Sequence, residues 1–191
     1  MSVERTVEGD RAVFRVFING DRQAVWDEMT RTDGPQPAIF HNVMHTSAGV
    51  VAGSAIQMRS KNGKYVGMVG EILEVDPPRL FRHTLKFTHL DDPETVVTYE
   101  LEEQDGGTRF TLTVDRLVAD NKTGKSMVGG GSMICSVLKS VIENGNAPLV
   151  NRMLFGILGG LAPVMTPARC RAEHWPLGTQ ASALATDGGA A

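Results

Sequence analysis

The chain has 191 residues, 41% hydrophobic, 21% charged and 6% aromatic, which is enough apolar material for one domain with a core and excludes disorder throughout. Nineteen Lys and Arg against 22 Asp and Glu leave a formal charge of −3, which excludes a protein that coats phosphate backbones by bulk charge. Two cysteines, Cys135 and Cys170, make neither a disulfide framework nor a CxxC pair, and both read as free thiols.

Met1 to Arg11 carry charges of both signs and no apolar run, so residues 1–10 are expected to be a tail without a leader and the expected compartment is the cytoplasm. From 12 to 18, Ala12, Phe14, Val16 and Ile18 alternate with polar or outward positions, the period of a half-buried strand. Asn19-Gly20-Asp21 supplies turn and cap chemistry, after which Val25, Trp26 and Met29 share one side of a short helix. Asp33-Gly34-Pro35 and Pro37 stop that helix and leave room for one more short turn.

Alternation is weaker from 40 to 60, where Gly49 and Gly53 separate two strands. The apolar run 65–75 is a further strand, closed by Asp76-Pro77-Pro78 because proline donates nothing to a ladder. Three alternating strands follow: Phe81, His83, Leu85 and Phe87 share one face, then Val97, Tyr99 and Leu101, then Phe110, Leu112 and Val114. Their short turns, Asp91-Asp92-Pro93 and Asp105-Gly106-Gly107, require antiparallel hairpins.

Asn121 to Ser132 is expected to be a loop, since its glycines break any helical period. Ile134, Val137, Leu138, Val141 and Ile142 then follow i, i+3, i+4, i+7, i+8, an amphipathic helix that Gly145 ends. Residues 146–175 read as an apolar helical extension and 176–191 as a disordered tail. Met153 to Met165 is uncharged but too short to span a bilayer, and Gly156-x-x-x-Gly160 allows close helix approach. No transmembrane segment is therefore expected, and the segment 148–165 is a candidate homodimer surface.

Three stretches carry a family resemblance: Ala24-Val25-Trp26; Gly70-Glu71-Ile72-Leu73-Glu74-Val75-Asp76-Pro77-Pro78-Arg79-Leu80; and Val97-Thr98-Tyr99-Glu100-Leu101-Glu102-Glu103 followed by Gly106-Gly107-Thr108-Arg109-Phe110-Thr111-Leu112. Residues 10 to 145 resemble the START-like, or SRPBCC, superfamily typified by the birch-pollen allergen, and within it the homologues of the activator of the ninety-kilodalton heat-shock protein's ATPase. The helix around Val137-Leu138-Lys139 and Glu143-Asn144-Gly145 is similar to that family's closing helix, without the tryptophan usual near its start. The resemblance implies an α+β helix-grip fold over 11–145: a curved antiparallel sheet of about six or seven strands wrapped around a long C-terminal helix, with two short helices after the first strand.

The resemblance also implies a cavity between sheet and helix that holds a hydrophobic small molecule, lipid-like, sterol-like or polyketide-like. Its candidate lining is Phe14, Val16, Trp26, His83, Leu85, Phe87, Val97, Tyr99, Phe110, Leu112, Ile134, Leu138 and Ile142. The same residues packed solidly would be an ordinary core. The resemblance leaves two further expectations, a chaperone-accessory domain with a filled interior and an exposed docking surface, and a cyclase or hydrolase.

The inventory of reactive groups is thin. His83 stands among apolar neighbours as a polar hook for a ligand carbonyl or carboxylate. His41 and His45, four apart, could share a metal, but no third ligand accompanies them, so neither metal nor cofactor is expected. Gly124-Lys125-Ser126 imitates the end of a phosphate loop, yet the position where that motif needs its first glycine is Ala119. No GxSxG is present and no nucleophile, base and orienting group assemble, so binding without catalysis is the expected activity.

Overall fold

Alternating segments in the sequence become nine strands in the computed structural model, which describes residues 3–118, 120–151, 153 and 166–177. They are β1 (Glu4–Glu8), β2 (Arg11–Ile18), β3 (Pro35–Gln36), β4 (Asn42–Thr46), β5 (Ala55–Arg59), β6 (Val66–Asp76), β7 (Leu80–Phe87), β8 (Thr95–Gln104) and β9 (Gly107–Asp115). The helices are α1 (Arg22–Thr30) and α2 (Lys122–Asn144), with a 3-10 turn at Pro37–Ile39. All strands form one antiparallel sheet in the order β1-β2-β9-β8-β7-β6-β5-β4-β3.

Two strands exceed the expected six or seven. β1 lies in the stretch read as a tail: every residue of it is exposed, and it pairs only with β2 at a sheet edge, so no burial pattern marks it. β3 is only two residues long, too short to show a period. The two short helices expected after the first apolar strand are α1 and the 3-10 turn.

Register aligns one apolar face across the sheet. Phe14 pairs with Leu112, Leu112 with Tyr99 and Tyr99 with Phe81; the neighbouring row runs Ala12, Val114, Val97, His83, Ile72. Register shifts at Met58/Arg59 and at Ile72/Glu74 add the local bend that bulges impose. The helix α2 crosses this face, packing on β2 and β9 and also on the 3-10 turn beside β3, so one helix closes over strands from both ends of the sheet.

α2 begins at Lys122, ten residues before Ser132, and the expected loop at Asn121–Ser132 is helical. Two things override the glycines. The Asn121 side chain caps the start by accepting from the Gly124 N–H at 2.6 Å, and Asp92 accepts from the Thr123 N–H at 2.8 Å. Gly131 lets the helix approach Phe14, since a Cβ there would stand 2.4 Å from the Phe14 ring. At the other end Gly145, at φ +72°, donates its N–H to the Val141 carbonyl.

Of the extension expected to be helical over 146–175, residues 149–151 and 153 are helical, while 152 and 154–165, with Gly156, Gly160 and most of the proposed dimer segment 148–165, lie outside the described residues, as does the tail beyond 177. Its described end differs from a helix: residues 168–170 and 172–174 are two 3-10 turns lying against the β5–β6 hairpin. Gln57 donates to the Trp175 carbonyl at 3.0 Å, and the Ala172 N–H donates to Lys64. This explains why Gln57 is fully buried on β5, where both faces are covered. Among the described residues no helix is long and apolar enough to cross a membrane.

Candidate functional site

The two halves of α2 cover the sheet differently. Along the C-terminal half, Cys135, Val137 and Leu138 are buried against a sheet that presents Phe14 and Phe110, both with no exposed surface. Trp26 of α1 meets Phe81 edge-on, with ring centroids 6.4 Å apart. Ile142 sits over Gly20, where any Cβ would lie 2.4 Å from its methyl group. Lys139 locks this end, donating to the Phe17 carbonyl at 2.7 Å and to Glu143 at 2.5 Å, while Glu143 also accepts from the Asn19 N–H. Burial alone would raise the Glu143 carboxyl, but these bonds hold it below the usual range.

The N-terminal half of α2 carries Ser126, Gly129, Gly130 and Gly131, which bring little side-chain bulk, and beneath them lies a cavity of about 540 Å³. That volume is within the range of small-molecule sites. Its floor is His83, Leu85 and Phe87 from β7, Val97 and Tyr99 from β8, and Leu112 from β9; Met44, Ile56, Met58 and Met68 come from β4, β5 and β6. Met29, Gln36 and Ile39 close one end, and Met127, Met133 and Ile134 hang from α2. Phe40, His89, Lys125 and Ser126 are exposed and form the rim. Six of the chain's nine methionines line this one space. Their flexible, polarisable side chains fill irregular gaps and adapt to a guest without a fixed shape.

Of the residues expected to line a cavity, His83, Leu85, Phe87, Val97, Tyr99, Leu112 and Ile134 do so. Phe14, Val16, Trp26, Phe110, Leu138 and Ile142 lie instead in the packed half of the interior or at its margin. The periodicity identifies the correct face but carries no information about which stretch of that face the helix leaves uncovered. The methionines, Gln36 and the glycine triplet escaped the sequence reading because they come from separate segments, each unremarkable alone. The one available signal is Gly129-Gly130-Gly131 adjoining an amphipathic helix.

The polar groups have defined roles. His83 Nδ1 lies 2.8 Å from the Thr84 carbonyl oxygen. A carbonyl only accepts, so Nδ1 carries the ring hydrogen and Nε2 a bare lone pair. Burial, partly opposed by that hydrogen bond, lowers the His83 pKa to about 4, and the ring is neutral at physiological pH. The expected hook for a carbonyl or carboxylate is thereby inverted, because the only donor of the ring is already engaged. Gln36 is fully buried; its amide Nε2 donates to Met29 and Arg31 carbonyls at 2.9 and 3.2 Å, ending α1, and its Oε1 has no partner. Burial raises the Tyr99 phenol, which stays protonated.

His41 and His45 do not share a site: His45 alternates with Met44 and faces away from the cavity. Burial first, then Lys61 beside His41 and Arg59 beside His45, lowers both pKa values, and such cations oppose a bound metal ion. Among the described residues no three His, Cys, Asp or Glu side chains form a metal-holding group. Gly124-Lys125-Ser126 is the first turn of α2, where Asn121 and Asp92 already occupy the N–H groups a phosphate would need. Burial pushes the Cys135 thiol up to about 12, far from a reactive thiolate at neutral pH.

Residues 10–143 match the family model described as Activator of Hsp90 ATPase homolog 1-like protein. No curated protein matches the chain. Among solved structures, CalU16 from Micromonospora echinospora is similar with a TM-score of 0.61 at 15% identity, covering 86% of this chain and 98% of that one. The Aha1 dimer from Colwellia psychrerythraea gives 0.57 at 17%, covering 71% and 97%. DynU16, described as a protein in the dynemicin biosynthetic locus, gives 0.58 at 17%, covering 73% and 49%.

Proposed function

The chain belongs to the Activator of Hsp90 ATPase homolog 1-like family, and from that premise we propose that it is a binding module that holds a hydrophobic small molecule between sheet and helix without transforming it. The observation that carries this reading is the 540 Å³ space beneath the glycine-bearing half of α2, walled by six methionines and the apolar ends of four strands. An apolar void forfeits contacts that its lining would otherwise make, and a guest of matching polarity restores them. The finer architecture fits: a helix-grip arrangement, in which a bent sheet holds one long helix, creates a seam that average side chains do not fill, and here glycine widens it. The likeness to DynU16, from the dynemicin biosynthetic locus, is in keeping with a small-molecule guest.

The chaperone-accessory reading calls for a filled interior, and the hollow half of this one argues for the binder. The buried polar groups of the cavity wall, a neutral histidine, a protonated phenol and an amide, include no activated nucleophile.

The test is a thermal-shift and native mass-spectrometry screen of fatty acids, sterols and aromatic polyketides on the whole chain, alongside Met68→Trp, which places a bulkier group in the cavity. At least one class should raise the Tm of the wild type by mass action, and Met68→Trp should lose that gain while folding normally. A screen in which no class shifts the Tm or remains bound in native spectra would refute the proposal.

A further inference from the structure

Resting on the binding reading above, the pattern of hydrogen bonds around the cavity says which end of a guest is buried. Three polar side chains on its wall are at least nine-tenths buried: Gln36, His83 and Tyr99. Each hydrogen that Gln36 can donate goes to the C-terminal carbonyls of α1, which turns its Oε1 away from the helix with no donor to meet it. His83 has given its hydrogen to Thr84, and among the described residues nothing donates to Nε2 on the opposite side of the ring. Tyr99, diagonal to His83 across the β7–β8 ladder with ring centroids 5.8 Å apart, has no hydrogen-bond partner for its hydroxyl among the described residues. Gln36 Oε1 is enclosed on every side and out of a guest's reach, so the buried wall offers one acceptor, His83 Nε2, and one hydroxyl able to serve either way.

We propose that the guest is an apolar alcohol or phenol that enters hydroxyl first, its O–H donating to His83 Nε2 and its oxygen accepting from the Tyr99 hydroxyl. A ketone, ether or carboxylate end could accept from Tyr99 but would bring no hydrogen to His83 Nε2, leaving that acceptor unpaired in an apolar space. Unpaired buried acceptors carry their full desolvation cost, the basis on which sites built around one hydroxyl reject analogues without it. Protonating His83 would convert the acceptor into a donor, but its burial keeps it neutral across the physiological range.

The test compares 1-hydroxypyrene with 1-methoxypyrene by fluorescence titration of the whole chain. A cavity selecting by apolar surface alone prefers the methyl ether, which is the more hydrophobic of the two, so the sign of the preference is diagnostic. The expected result is a Kd for 1-hydroxypyrene about tenfold or more below that for 1-methoxypyrene, on the scale of one buried hydrogen bond. His83→Phe should abolish that preference while 1-methoxypyrene binds as before. Equal affinities, or a preference for the ether, would overturn the hydroxyl assignment and leave the cavity-binding proposal standing. A preference that survives in His83→Phe would remove His83 from the recognition, and failure of both probes to bind would overturn the hydroxyl assignment, the cavity reading standing or falling by the ligand screen above.

Discussion

Three consecutive glycines in α2 allow one substitution to be made three times with opposite expected signs. Gly129, Gly130 and Gly131 all lie in the helix, where alanine is intrinsically favoured over glycine by ~1 kcal/mol. At Gly129 an added methyl group meets nothing within 4 Å, so Gly129→Ala should gain that full ~1 kcal/mol. At Gly130 the nearest atom is Phe40 Cζ at 3.5 Å, an ordinary contact, and the gain should be similar. At Gly131 the methyl group would stand 2.4 to 2.7 Å from three atoms of the Phe14 ring, itself without exposed surface and boxed in by the sheet. Overpacking of that kind costs about 1–3 kcal/mol or more, enough to cancel the propensity gain and reverse it. Urea unfolding followed by circular dichroism measures all three, and in a domain of this size each kcal/mol moves the Tm by roughly 2–4 °C. If Gly131→Ala were as stabilising as Gly129→Ala, the close approach of helix and sheet at Phe14 would be wrong, and with it the explanation of why the helix starts at Lys122.

His83 should make the fold acid-sensitive. Its pKa falls from 6.5 to about 4 on folding, so the stability it contributes is fully present above pH 6.5 and is lost as pH drops towards 4. Between pH 7.5 and 4.5 the wild type should lose about 2–3 kcal/mol more than His83→Phe in parallel urea titrations, and identical losses would refute the buried, neutral assignment. Gln36→Leu removes the donor to the last carbonyls of α1 and should cost about 1–2 kcal/mol in the same assay, tempered by removal of the unpaired Oε1; an unchanged midpoint would show that those carbonyls find other partners. Asn121→Ala, which deletes the α2 cap, should destabilise by about 1 kcal/mol, whereas Asn121→Asp should be tolerated; an equal loss for both would argue against capping.

Much of the cavity floor was legible in the sequence because it depends on strand alternation alone. His83, Leu85, Val97, Tyr99 and Leu112 occupy one face by period two, and the ladders bring them together as expected. The edge strand β1 was not legible, since a strand exposed on every residue has no apolar period to read. The polarity of His83 was not legible either: whether it donates or accepts depends on a carbonyl 2.8 Å away, not on its neighbours in sequence.

The amino-acid sequence by itself determined the order of the elements, the antiparallel hairpins and the apolar face of the sheet, because turn chemistry and side-chain periodicity act between residues a few positions apart. Tertiary structure decided where that face is covered and where it is hollow. Glycines that look locally like helix breakers are held in α2 by a cap and by contact with Phe14, and their missing side chains become the roof of the cavity. Methionines scattered from position 29 to 133 converge on one space only after the sheet has bent and the helix has crossed it. Local propensity is a matter of tenths to one kcal/mol per residue, and packing between distant segments is large enough to override it.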